Sequence, residues 1–81
     1  MNIRTLDALC GVVAQALNLP AGAITADSSH ASVETWDSLG HLQVILAVEG
    51  AYNVRFTTEE MPTLASIAAL ATKLRVPMTT A

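Results

Sequence analysis

Trp36-Asp37-Ser38-Leu39-Gly40-His41 runs directly into Leu42-Gln43-Val44-Ile45-Leu46-Ala47-Val48-Glu49. At about 100° per residue, a helix from Ser38 to Tyr52 gathers Val44, Ile45, Val48 and Tyr52 on one side. Leu39, Leu42 and Leu46 gather on roughly the opposite side. A small domain cannot bury both stripes. The Val44/Val48/Tyr52 stripe, which continues toward the next connection, is expected in the core, and the leucine stripe is expected to be at least partly exposed. Asp37 or Ser38 can cap this helix, because either short side-chain oxygen can accept from a free N–H of the first turn.

Upstream, Leu6, Leu9, Cys10, Val13 and Leu17 recur at steps of three and four and mark one stripe of a first helix, about residues 3–17. Asn18 and Pro20 stop it. Residues 19–37 carry Pro20, Gly22, Asp27, Ser28, Ser29, His30 and Ser32 without a sustained period. So long a connection is tolerable in a small domain if Leu19, Ile24 and Val33 pin it to the core. Trp36 is expected to pack where it joins the second helix. Downstream, Thr57 and Glu60 have the spacing of a capping box, which predicts a very short third helix at Thr57–Met61, ended by Pro62. Thr63 is expected to cap a last helix to about Arg75, with Leu64, Ile67, Ala68, Ala71 and Leu74 on one face. The reading is an all-α four-helix bundle, with residues 1–76 as one domain and 77–81 as a frayed tail. The starting Met1 favours a discrete protein.

Composition narrows the function. The 81 residues carry a formal charge of −3, and the only cations are Arg4, Arg55, Lys73 and Arg75. They do not cluster along the sequence, so no basic stripe exists for nucleic acid. Arg4 and the apolar residues 6–17 faintly resemble a secretory leader. Asp7 and Gln15 interrupt that run, however, which favours an amphipathic helix of a cytoplasmic protein. No segment is suited to span a membrane. Cys10 is the single cysteine; within an apolar stripe it reads as a small buried hydrophobe. Metal-ligand spacing is absent.

Ser38, Asp37, His30 and His41 supply the residue types of a catalytic triad. The adjacent Asp37 and Ser38 side chains diverge, though. No Gly-x-Ser-x-Gly elbow is present, and the chain is too short to enclose a substrate. His41 reads better as a polar contact beneath the long loop, and His30 as a solvated loop residue. An N-cap serine is the plain reading of Ser38. An acid before it, a leucine after it and an apolar stripe beside it favour a tethering point next to a docking surface.

Asp37-Ser38-Leu39 opening an apolar helix resembles the modification motif of acyl carrier proteins. The resemblance extends along the chain in the order of first helix, long loop, motif helix, short third helix and closing helix. It implies a 4′-phosphopantetheine arm, taken from coenzyme A by a phosphopantetheinyl transferase and esterified to Ser38. The arm's thiol would carry an acyl or aminoacyl group as a thioester among loading enzymes, acyltransferases, synthases or condensing enzymes. The chain would then be a monomeric carrier and not an enzyme. Leu39, Leu42, Gln43 and Leu46 would form the partner surface, with the leucines also able to shelter a short acyl chain.

Fatty-acid carriers of this family usually present an acidic face on the motif helix. Here Gly40 and Gln43 stand where acids are common, and Glu49 is the helix's only acid. That departure points to a dedicated carrier in polyketide, nonribosomal peptide or cell-surface polymer assembly. The other reading is a helical adaptor that binds a protein through Leu39, Leu42 and Leu46 and carries no arm.

Overall fold

The computed structural model describes residues 4–77. Three α-helices form: α1 (Leu6–Ala16), α2 (Ser38–Tyr52) and α3 (Ile67–Leu74), with short 3-10 turns at Ala21–Ala23 and Met61–Leu64. Each helix has a side-chain cap. Thr5 Oγ1 accepts from Ala8 N at 3.1 Å, Asp37 Oδ1 from Gly40 N at 2.8 Å and Ser66 Oγ from Ala69 N at 3.0 Å. Of the tail expected at residues 77–81, residues 78–81 lie outside the described residues.

The apolar stripes are buried as their spacing predicts. Leu6, Leu9, Cys10, Val13 and Leu17 of the first stripe meet Val44, Ile45, Val48 and Tyr52 of α2. Ile67, Leu70, Ala71 and Leu74 close the core from α3. Ile24 is buried and Leu19 and Val33 pack on the core, so the long loop is pinned at the three expected points. Burial also pushes the Cys10 thiol pKa up, with Asp7 adding to the effect, which fits an inert core cysteine.

The four-helix count needs correction: three α-helices are present among the described residues. The Thr57 capping box does form, with Glu60 N donating to Thr57 Oγ1 at 3.2 Å and Thr57 N to Glu60 Oε1 at 3.0 Å. It supports only one turn. Pro62 has no N–H to extend an α-helical ladder, and the chain tightens instead into the 3-10 turn Met61–Leu64. The last helix also starts later than expected, at Ile67, with Ser66 and not Thr63 as its cap. The long loop is the cause. His30 N donates to Ala65 O and Ile67 N to Ser28 O, both at 3.0 Å, drawing Ser66 into extended backbone opposite Ser29. With this start Leu70 faces the core and Ala68 is exposed.

Glu60 also pairs with Lys73 of α3. That contact, with the Thr57 bonds, lowers its carboxyl pKa from the usual 4.5 to about 2. A depressed acid contributes stability that is complete above its unfolded pKa and is lost as pH falls through the folded one. Glu60→Gln should therefore lower the melting temperature somewhat at neutral pH, by the little that a solvated, screened pair contributes, and flatten the decline between about pH 4.5 and pH 2, so that the two proteins converge at the acid end.

The three helices end on left-handed residues or just before them. Asn18 (φ 59°), Asn53 (φ 54°) and Arg75 (φ 58°) follow α1, α2 and α3. Asparagine tolerates this conformation and arginine does not share that preference. Left-handed backbone at a residue such as Arg75 costs on the order of 1 kcal/mol.

Candidate functional site

The start of α2 divides two tasks that the sequence left open between Asp37 and Ser38. Asp37 is the cap: its backbone is extended, its carboxylate accepts from Gly40 N, and its carbonyl accepts from His41 N at 2.7 Å. Ser38 is the first helical residue, and its exposed hydroxyl makes no hydrogen bond among the described residues. The serine at this helix start is therefore not there to cap it. The N–H groups of Ser38 and Leu39 belong to the orphan donors of a helix start, where backbone dipoles favour an anion.

The junction beneath Ser38 is held by the buried Trp36. Its Nε1–H donates to His41 Nδ1 at 3.0 Å, and His41 Nε2 meets Met61 O at 2.6 Å. Because Nδ1 accepts from Trp36, the ring proton sits on Nε2 and is donated to Met61 O. His41 thus ties the loop, α2 and the second 3-10 turn together, the polar contact expected of it. His41→Ala leaves the buried Trp36 N–H without an acceptor and should cost about 1–3 kcal/mol in urea unfolding, with a red shift of the emission of Trp36, the only tryptophan. His41→Gln keeps one donor and one acceptor and should recover part of the loss.

Gly40 is buried. A Cβ built on it would stand 2.1 Å from Thr35 O and 2.9 Å from Leu17 Cδ2. The long loop crosses the helix at this point, and no side chain fits between them. Gly40 is therefore not a vacant acid position on a partner-facing surface. That part of the sequence reading is corrected, and Gln43 alone occupies an exposed position of that kind.

Leu39, Leu42 and Leu46 are 67%, 48% and 59% exposed, the division of stripes expected from their spacing. They do not line the space beside Ser38. An open groove of about 430 Å³ there is bounded by His30, Glu34, Trp36, Asp37, His41, Pro62 and Ala65, a lining that mixes polar and apolar groups. No group of three or more His, Cys, Asp or Glu residues capable of holding a metal occurs among the described residues.

Sequence spacing also missed a convergence. Arg4, Arg55, Lys73 and Arg75, scattered along the chain, all line one groove of about 420 Å³. They precede α1, follow α2 and end α3. Their meeting depends on the link after α2 returning the chain so that α3 ends beside the start of α1, where an Arg4 guanidinium N–H donates to Leu74 O at 2.6 Å.

A family model described as a phosphopantetheine attachment site matches residues 7–74. The chain is similar to the solution structure of a holo acyl carrier protein from Geobacter metallireducens, with 30% identity and a TM-score of 0.74. The match covers 88% of this chain and 82% of that one. No curated protein matches the chain.

Proposed function

Since the chain belongs to the phosphopantetheine attachment-site family of carrier proteins, we propose that Ser38 is its attachment residue and residues 1–76 its carrier domain. As a carrier it is not a catalyst. It takes a 4′-phosphopantetheine group and works with a phosphopantetheinyl transferase and with biosynthetic enzymes. The adaptor reading without an arm is set aside by that membership.

The observation that carries the assignment to Ser38 is the uncommitted, exposed hydroxyl at the first position of α2, beside an aspartate that has taken over the capping. The residues fit the group. A phosphodiester on Ser38 would have the orphan N–H groups of the first turn at hand, and the adjoining groove is open to solvent. The group supplies a terminal thiol for acyl or aminoacyl thioesters. The chain's own part is to present the hydroxyl, while activation of coenzyme A belongs to the transferase. Incubation with coenzyme A and a broad-specificity transferase should add one arm by intact mass; a native chain that never gains one overturns the assignment.

Leu39, Leu42, Gln43 and Leu46 are proposed as the partner surface, on the support of their exposure beside Ser38. That surface holds no acid. Glu49, the only acid on α2, accepts from Phe56 N at 2.8 Å near the other end. Recognition by apolar and neutral contacts favours dedicated partners in polyketide, nonribosomal peptide or cell-surface polymer assembly over enzymes that read an acidic face. Among the described residues no helix is long and apolar enough to cross a membrane, and a monomeric cytoplasmic carrier is the proposed state.

A further inference from the structure

We propose that the groove at the end of the bundle remote from Ser38 docks an acidic segment of a partner protein that also carries a leucine or phenylalanine. Every lysine and arginine of a chain with net charge −3 lines this one groove. Its remaining lining is apolar: Val54, half-buried, over the edges of the buried Phe56 and Leu74. Two carboxylates touch its residues, Glu60 on Lys73 and Glu49 on the Phe56 N–H. Arg55 and Arg75 are exposed and make no ion pair among the described residues.

The backbone at Arg75 is an independent observation. The negative end of the α3 dipole favours a cation nearby, which accounts for Lys73 in the last turn. It does not account for an arginine in left-handed backbone where glycine or asparagine is cheaper, as Asn18 and Asn53 show at the other two helix ends. Strain retained at one exposed residue points to a use for its side chain.

The occupant follows from the lining. Arginine forks bind carboxylates with two parallel hydrogen bonds. A simple inorganic anion would leave the exposed part of Val54 uncovered, whereas a peptide can place an apolar side chain on it between its acids. α2 spans about 21 Å by helical rise, so a partner held here leaves Ser38 and the leucine stripe clear. Such a contact would retain the carrier near an enzyme while its other end is served.

The test is fluorescence anisotropy with a labelled peptide of Asp and Glu interspersed with Leu and Phe, using the full chain. Binding should be saturable and weaken with salt, and Arg55→Glu should weaken it on the order of tenfold. Arg75→Asn should also weaken it while leaving the melting temperature unchanged or higher, a combination that a merely structural arginine would not give. Arm attachment should be the same in both variants, which separates this proposal from the assignment of Ser38. Four outcomes overturn it: no binding; binding indifferent to both substitutions; equal binding of a peptide with Ser in place of Leu and Phe, which marks a plain anion site; or sedimentation showing that a second copy of the chain fills the groove.

Discussion

Ser38→Ala should abolish arm attachment completely and leave the fold intact. The two halves of that result have separate causes. On the proposed assignment, attachment needs the Ser38 oxygen itself, which would form the new bond to phosphorus as the adenosine bisphosphate portion of coenzyme A departs. The first turn of the helix offers no second hydroxyl, because Ser38 is followed by Leu39, Gly40 and His41. Stability, in contrast, does not draw on that oxygen, since Asp37 makes the capping bond to Gly40 N. The change in unfolding free energy should stay within about 0.5 kcal/mol, as at surface positions generally. Asp37→Ala should give the inverse pattern, losing about 1 kcal/mol of stability with the cap while still accepting an arm. Intact mass and urea unfolding of both variants check this. An arm on Ser38→Ala refutes the assignment, and marked destabilisation of Ser38→Ala would return the serine to a structural role.

Much of this arrangement was legible in the sequence where it depends on local periodicity. The two stripes of α2 follow from counting 3.6 residues per turn, and exposure divides between Val48 and Leu46 as that count requires. The three anchor points of the long loop were legible for a similar reason: isolated Leu19, Ile24 and Val33 in a polar stretch have few places to go but inward. What was hidden depends on contacts distant in sequence. Thr57 and Glu60 form their box as read, but the box specifies a helix start and not a helix length, which Pro62 limits. Ser66 replaces Thr63 as a cap because Ser28 and His30 hold the backbone of residues 65–67 from across the molecule. The four cations looked dispersed because their meeting depends on the direction in which three helices run.

Gly40 is the sharpest of these hidden features, and Gly40→Ala should destabilise the protein by about 2 kcal/mol or more. Alanine is the better helix former by about 1 kcal/mol, so propensity alone predicts a gain. Sterics reverse it. Leu17 Cδ2, at 2.9 Å from the added Cβ, is a side-chain end that can rotate away. Thr35 O, at 2.1 Å, is backbone and cannot. It lies between Val33 and Trp36, which are joined by the Trp36 N to Val33 O bond at 3.0 Å, and the Trp36 ring is buried and held by His41. Relief therefore requires the loop to lift or the first turn of α2 to move, and overpacking of this kind costs about 1–3 kcal/mol or more. Gly50→Ala provides the control within the same helix. Nothing lies within 4 Å of its added Cβ, so it should stabilise by about 0.5–1 kcal/mol. Thermal melts of the two variants should move in opposite directions, and matching shifts would show that the loop yields freely. Gly40→Glu extends the same reasoning to function. Intended to supply an acid near Ser38, it would instead force a larger side chain against Thr35, so acidic recognition has to be engineered at Gln43, where the side chain is exposed.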